Sequence, residues 1–274
     1  MSVLKRVSPF TVVCAVLGAV LVLFVVLPTV TMIVEAGPGV FGEALSQDDL
    51  RRSLVLTAGA SLIATALGIV FGVPLAYLLA RRSFRGKRVV EGLVDVPVVF
   101  PHTAAGIALL TVYGRDGVIG SLLAPLGITF VDTVAGIIVA MLFVSLPFLV
   151  DGARESFRLV DPRFEHAART LGATPAGAFF RVTLPQAGRG VLAGVMLMWA
   201  RGISEFGAIV ILAYNPKVVP VLVYERFEGF GLAAALVPAV LVAVVAFAGF
   251  VVVRALLGRG GHTEGRDRRG EEHS

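Results

Sequence analysis

The sequence is poor in charged residues and has a single cysteine. Aspartate, glutamate, lysine and arginine make up only 16% of its 274 residues, against roughly 25% in an ordinary soluble domain. This scarcity of charge excludes a soluble globular enzyme. The lone Cys14 cannot form an internal disulfide, and it cannot supply a cysteine-based metal cluster.

The sequence is correspondingly rich in apolar residues. They form 57% of the chain, and the mean hydropathy is +0.88. Six continuous runs are long enough to cross a bilayer, which takes about 20 residues per helix. These runs are 10–34, 54–80, 94–113, 131–150, 190–212 and 232–257. A membrane β-barrel is excluded because its strands are short and alternate. The predicted fold is an all-α polytopic membrane protein with six transmembrane helices.

The basic residues orient these spans. They lie in the connections between apolar runs rather than on a soluble face, so we expect the lipid bilayer, and no nucleic acid, as a partner. Most lysines and arginines lie at the two ends of the chain and in alternate connections, and cytoplasmic loops are enriched in such residues. We predict a multi-pass plasma membrane protein with both termini cytoplasmic.

The spans also divide the chain. Residues 1–9 form a cytoplasmic N-terminus and residues 10–257 the membrane unit. The first span is too long for the apolar part of a signal peptide, so we expect it to be retained. Residues 258–274 are rich in glycine and charge, and we predict a disordered cytoplasmic tail there.

One polar connection, residues 151–189, is much longer than the others, and we expect it to contain secondary structure. Asp161 followed by Pro162 predicts the start of a short helix, and Gly172 its end. Thr174 and Pro175 predict a second short helix, which ends near Leu184 and Pro185. The first helix should carry an apolar side to which another protein docks, formed by Phe164, Ala167, Ala168 and Leu171.

The same connection carries a recognisable motif. Glu165-His166-Ala167-Ala168-Arg169-Thr170-Leu171-Gly172 is followed, after nine residues, by Val182-Thr183-Leu184-Pro185. This pattern resembles the EAA loop of binding-protein-dependent ABC-importer permeases. The sequence departs from the family at one position, since His166 occupies the slot of the family's glutamate and Glu165 stands one residue earlier. The alternative is a loop that merely connects two spans.

The resemblance implies a type I ABC importer permease. The helix pair would be the coupling element, seated in a separate ATPase. The residues it assigns to ATPase coupling are Glu165, His166, Ala167, Ala168, Gly172, Leu184 and Pro185, with Glu165, Ala168 and Gly172 at the core of the contact. It further implies a homodimer, two ATPase subunits that hold ATP and magnesium, and an extracytoplasmic oxyanion-binding protein. No cofactor is expected in this chain.

The sequence itself favours an ATPase partner. Gly86-Lys87 lacks the glycine five positions earlier that a phosphate-binding loop requires, and Arg88 replaces the necessary serine or threonine. The four histidines are dispersed without metal-ligand spacing, so neither a metal site nor a catalytic set is predicted.

Two further segments narrow the resemblance to a subfamily. Residues 97–108, and residues 200–208 together with 220–227, are similar to molybdate/tungstate permeases. The latter stretch is most similar to the archaeal tungstate branch, and sulfate permeases carry a related fifth-span motif. The implied cargo is tungstate or molybdate, with sulfate as the alternative. A proton-coupled secondary transporter would need carboxylates or histidines deep in several spans, and few are present.

Six residues in these segments are candidates for the translocation path or its gate: His102, Thr103, Arg201, Ser204, Glu205 and Gly207. Arg201 and Glu205 are four residues apart, so they share a helix face and can form an ion pair. Arg201 would offer positive potential to a tetrahedral dianion, and Glu205 would prevent tight capture. The alternatives are a purely structural ion pair and a third span that only packs.

Overall fold

The computed structural model describes residues 8–40, 42 and 46–258. Regular structure in this part is helical, which confirms the all-α prediction. The helices are α1 (Pro9–Ala36), α2 (Asp48–Arg81), α3 (Lys87–Val99), α4 (His102–Tyr113), α5 (Val118–Leu123), a 3-10 turn (Ala124–Leu126), α6 (Val134–Leu159), α7 (Pro162–Thr170), α8 (Pro175–Ala178), a π-helical turn (Phe179–Thr183), α9 (Leu184–Ile203), α10 (Gly207–Leu212), α11 (Val219–Phe230) and α12 (Leu232–Gly258). The predicted disordered tail lies outside the described residues beyond position 258.

Helix α6 is the centre of the bundle, with α2 and α9 packed along it. The buried side of α2 consists largely of small and hydroxyl residues, which allow neighbouring helices to approach closely. The hydroxyls of Thr57, Ser61 and Thr65 donate hydrogen bonds of 2.6, 2.9 and 2.7 Å to carbonyls of their own helix. These polar groups therefore need no water inside the bundle.

Five helical segments of the described residues are long and apolar enough to cross a membrane: Pro9–Ala36, Asp48–Arg81, His102–Leu126, Val134–Leu159 and Leu232–Val251. They correspond to five of the six predicted runs. The third and fifth runs differ from their predicted form, because each is interrupted inside the bundle.

The third run, predicted as one helix over residues 94–113, consists of two. Helix α3 ends at Val99, Phe100 is extended (φ −71°, ψ 134°), and α4 begins at His102. Pro101 causes the break, since a residue that precedes proline is disfavoured from helical geometry. The run is divided next to a candidate path residue.

The fifth run, predicted as one helix over residues 190–212, is also divided. Helix α9 ends at Ile203 and α10 begins at Gly207. The hydroxyl of Ser204 donates to the carbonyls of Ala200 and Arg201, both at 3.1 Å, and the Glu205 carboxylate accepts a hydrogen bond from the Ala208 N–H at 2.8 Å. These side chains replace helical hydrogen bonds at the break.

The polar connection is shorter than predicted, because α6 continues to Leu159 and α9 begins at Leu184. The second predicted helix does not end near Leu184 and Pro185. The π-helical turn joins α8 to α9, with the N–H of Leu184 bonded to the carbonyl of Phe179. A widened turn accommodates a proline that would strain a regular helix, so the helical path continues through Pro185.

Helices α4 and α10 touch through a glycine. A Cβ atom built on Gly106 would lie 2.8 Å from Cβ of Ile211 and 2.9 Å from the carbonyl oxygen of Ala208. Gly106→Ala should therefore overpack this contact and destabilise the chain by about 1–3 kcal/mol. Unfolding in detergent micelles measures the change. Gly92→Ala on α3 is the control, since its Cβ would meet nothing within 4 Å; equal stability of the two variants would contradict the prediction.

Candidate functional site

The predicted helix pair is present in the polar connection. The Asp161 carboxylate accepts a hydrogen bond from the N–H of Arg163 at 2.9 Å and starts α7. Gly172, just after α7, has a φ of +93°, a conformation that glycine adopts without strain. The Thr174 hydroxyl accepts from the N–H of Gly177 at 3.0 Å and starts α8. The start and end of α7 therefore agree with those predicted from Asp161 and Gly172.

Glu165 lies on the inner side of α7, where it is only 9% exposed. Its carboxylate accepts hydrogen bonds from Nε of Arg81 at 2.7 Å, the hydroxyl of Tyr77 at 2.9 Å and the hydroxyl of Thr183 at 2.8 Å. We refer to Tyr77, Arg81, Glu165 and Thr183 as the coupling network. It ties α7 both to the end of α2 and to the π-helical turn that precedes α9.

Three further contacts stiffen the coupling network. Nη2 of Arg81 donates to the carbonyl of Val160 at 2.9 Å, which holds the segment between α6 and α7. The Tyr77 ring packs edge-on against the rings of Phe157 and Phe179, with centroids 5.7 and 4.7 Å away. Polar and aromatic contacts together hold α7 against the bundle.

The surroundings of Glu165 favour its charged form. Burial by itself would raise the pKa of this carboxyl, but the hydrogen bonds from Thr183, Tyr77 and Arg81, with the positive charge of Arg81, lower the pKa below its ordinary value of 4.5. Glu165 is therefore ionised at neutral pH, and its charge is directed into the protein.

The other predicted coupling residues lie on or near the surface. His166, Ala167, Gly172 and Pro185 are exposed, and Ala168 and Leu184 are partly buried. The apolar side of α7 is uncovered as well, with Phe164 54% and Leu171 89% exposed. Glu165 thus faces the bundle, whereas most of the motif faces outward.

The candidate path residues come together from separate parts of the chain. Nη2 of Arg201 lies 2.7 Å from Oε2 of Glu205 and 3.0 Å from Nδ1 of His102. We call these three residues the arginine cluster. The predicted ion pair is confirmed, although Glu205 follows the end of α9. Glu205 is 1% exposed, and a carboxylate buried so completely requires its cationic partner.

The arginine cluster lies where the third and fifth apolar runs are interrupted. His102 is the first residue of α4, and Glu205 lies between α9 and α10. A Cβ on Gly207 would lie 2.6 Å from Cβ of His102, so glycine permits the close approach. The six predicted path residues, together with Phe206, line one open cavity of about 420 Å³. The sequence did not indicate Phe206, whose ring packs on Tyr224.

Sequence reasoning missed three members of the coupling network. Tyr77 and Arg81 belong to none of the motifs recognised in the sequence, and Thr183 is not among the residues that the resemblance assigns to coupling. Thr183 stands inside the recognised motif, so its position was available as a signal. Nothing in the sequence indicates that α2, more than 80 residues before Glu165, ends beside it.

The chain is similar to known proteins over most of its length. The family described as "Binding-protein-dependent transport system inner membrane component" matches residues 68–259. The molybdate/tungstate transport system permease protein WtpB of Pyrococcus furiosus is 41% identical over 250 residues, which are 89% of this chain and 94% of that protein. The sulfate transport system permease protein CysW of Synechocystis is 33% identical over 249 residues, 88% of this chain and 90% of that one.

Solved structures show the same fold. A chain of a bacterial alginate ABC transporter, crystallised with an alginate pentasaccharide-bound periplasmic protein, matches with a TM-score of 0.74 at 17% identity. The match covers 93% of this chain and 96% of that one. The fold is therefore that of an ABC importer permease. The chain belongs to the binding-protein-dependent transport system inner membrane component family. The resemblance to molybdate/tungstate permeases seen in the sequence is confirmed.

The coupling network predicts a large effect of Glu165→Gln. This change leaves the Arg81 guanidinium without its carboxylate in a buried position, and we expect a loss of on the order of 3 kcal/mol in the free energy of unfolding at pH 7. Chemical unfolding in mixed micelles measures it. The control is Asp48→Asn, which removes an exposed ion pair with Arg51 and should cost less than about 1 kcal/mol.

The pH dependence provides a second check on this variant. Because the pKa of Glu165 is lowered in the folded chain, its contribution is complete above pH 4.5 and is lost as the pH falls through the lowered pKa. The stabilities of the wild type and the glutamine variant should therefore converge only in acid below pH 4.5. A stability difference that is absent at pH 7 would show that Glu165 does not hold α7.

Proposed function

We propose that this chain is the membrane-spanning permease subunit of an ATP-driven importer of tetrahedral oxyanions, with tungstate or molybdate as cargo. The observation that carries the proposal is the relationship to a permease named for molybdate and tungstate. It extends over 89% of the chain at 41% identity, whereas the sulfate permease is 33% identical. Sulfate is the second candidate cargo.

The arginine cluster supports an anion as cargo. Arg201 places a guanidinium on the wall of an open cavity, where it can form charge-assisted hydrogen bonds to an oxyanion. Glu205 holds this guanidinium at 2.7 Å and competes with the anion for it. Such competition keeps binding weak enough for release, which conduction requires.

The coupling network supports a mechanical role for α7. An ATPase seated on the exposed side of α7 would push or rotate this helix. Glu165 would transmit the movement to Arg81 in α2 and to Thr183 next to α9, because its hydrogen bonds reach both. We therefore assign Glu165 to transmission within the permease, and the outward-facing Phe164 and Leu171, with the partly buried Ala168, to the ATPase contact.

Helix α9 connects the two sites. Thr183 immediately precedes it, and Arg201 lies in its last turn. A helix of 20 residues extends over about 30 Å, which is close to the thickness of the hydrocarbon core. A tilt of α9 at the coupling network would move Arg201 relative to His102 on α4. Movement at the ATPase thus changes the arginine cluster by displacement of one rigid element.

The proposal includes the remaining subunits. Two ATPase subunits bind ATP and magnesium, two copies of this chain enclose one pore, and an extracytoplasmic binding protein delivers the anion. Both termini are cytoplasmic, residues 10–257 form the permease domain and residues 258–274 a cytoplasmic tail. Closure of the ATPases opens the pore outward, and ATP hydrolysis with product release reopens it inward.

Reconstitution of the three proteins in liposomes tests the function. We expect ATP hydrolysis to rise on addition of tungstate or molybdate with the binding protein, at lower concentrations than with sulfate. If sulfate stimulates ATP hydrolysis at lower concentrations than tungstate or molybdate do, sulfate is the cargo. Anion uptake that needs a proton gradient but no ATP would establish a secondary transporter instead.

Arg201→Gln tests the role of the arginine cluster in the same liposomes. It removes the charge-assisted contact to the anion, so we expect oxyanion uptake to fall at least about tenfold. Basal ATP hydrolysis should persist, because the coupling network is untouched.

The buried Glu205 loses its cation in that variant, and the membrane unit could then misfold. The double variant Arg201→Gln with Glu205→Gln removes both charges and provides the matched comparison. Unchanged uptake by a correctly inserted double variant would contradict the assignment of Arg201 to the path. Arg51→Gln on α2, far from the cluster in sequence and highly exposed, should leave uptake unchanged.

A further inference from the structure

A small polar cavity lies beside α7, between the end of α2 and the beginning of α8, with a volume of about 300 Å³. Its charged and titratable lining consists of Tyr77, Arg81, Arg82, Glu165, His166 and Arg169. Arg82 is the first residue after α2, and Arg169 lies in the last turn of α7. The cavity is therefore bounded by the same two elements that Glu165 connects.

The only carboxylate on this wall is already engaged. Glu165 forms an ion pair with Arg81 at 2.7 Å, and its remaining hydrogen bonds come from Tyr77 and Thr183. Arg82 and Arg169 form no ion pair with any residue that the structure describes. These two exposed guanidinium groups give the cavity a positive charge. An anionic group from outside the chain would complement this charge.

The neighbouring surface indicates that this group belongs to a protein. Phe164 on α7 and Leu171 just after its end are 54% and 89% exposed, and they would remain in water if only a small anion bound nearby. A protein that covers these side chains also brings its own side chains to Arg169, two residues before Leu171. A carboxylate is the protein group that pairs with two guanidiniums through charge-assisted hydrogen bonds.

We propose that the partner ATPase inserts an acidic side chain into this cavity, between Arg82 and Arg169. The inference rests on the proposed function, because it takes the ATPase as the protein seated on α7. The carboxylate bridges α2 and α7 from outside, while Glu165 bridges them from inside. The ATPase therefore contacts both the end of α2 and α7, rather than α7 alone.

The test measures the affinity of the ATPase for the permease in nanodiscs of neutral lipid, which contain no acidic headgroups. Arg82→Gln and Arg169→Gln should each raise the Kd about threefold to tenfold, and the dependence of the Kd on salt should become weaker. Arg163→Gln is the matched control, since Arg163 lies on the same helix outside the cavity lining. Its Kd should change by less than about twofold.

A second measurement identifies the group. In Arg169→Lys, a carbodiimide activates a carboxylate at ion-pair distance as an O-acylisourea. The new amine displaces the activating group, so that an amide forms and the carbodiimide leaves as a urea. Mass spectrometry of the product should locate an amide between residue 169 and an aspartate or glutamate of the ATPase. Arg163→Lys should give much less of this product.

Three results would overturn the proposal: a Kd unchanged in both cavity variants, an equal rise in Arg163→Gln, or no amide to the ATPase at residue 169. Cavity variants that lose only binding of inorganic phosphate or tungstate would instead establish a free-anion site. Failure of the importer function has a different signature, since the liposomes would then show no ATP-driven uptake although the wild-type chains assemble.

Discussion

A polar group in hydrocarbon must find its partner inside the protein, and this constraint underlies most of the structure. It requires helices, because only they satisfy the backbone within one segment of the chain. It also explains why Thr57 and Thr65 on α2 return their hydroxyls to their own helix. Where the constraint cannot be met by a regular helix, as at Glu205, a side chain bonds the backbone and the helix breaks.

The two breaks give the membrane unit its chemistry. A continuous third span would carry His102 within a helix, and a continuous fifth span would leave Glu205 without the N–H of Ala208. Because both helices are interrupted, Arg201, Glu205 and His102 meet at one cavity. The polar groups that cost free energy in the membrane thereby satisfy one another and remain open to an anion.

Much of the fold and part of the candidate site could be predicted from residues near one another in the chain. The six apolar runs, the caps at Asp161 and Thr174 and the Arg201–Glu205 pair all depend on spacings of a few residues. The break at Phe100 has a local cause in Pro101, which is visible in the sequence but does not interrupt the hydropathy of the run. The break at Ser204 and the continuation through Pro185 could not be predicted, because they reflect competition between local hydrogen bonds. The inward position of Glu165 was missed for another reason: its partner Arg81 is distant in sequence.

The sequence by itself determined that this chain lies in a membrane, that it is helical and which family its motifs resemble. These properties follow from hydropathy, helical period and short motifs, which are local. Only the tertiary structure decided which polar side chains lie together: Glu165 with Arg81, His102 with Arg201, and Arg82 with Arg169 in the lining of one cavity. Such pairs join segments far apart in the chain, and their distances are set by how α2, α4, α7 and α9 pack.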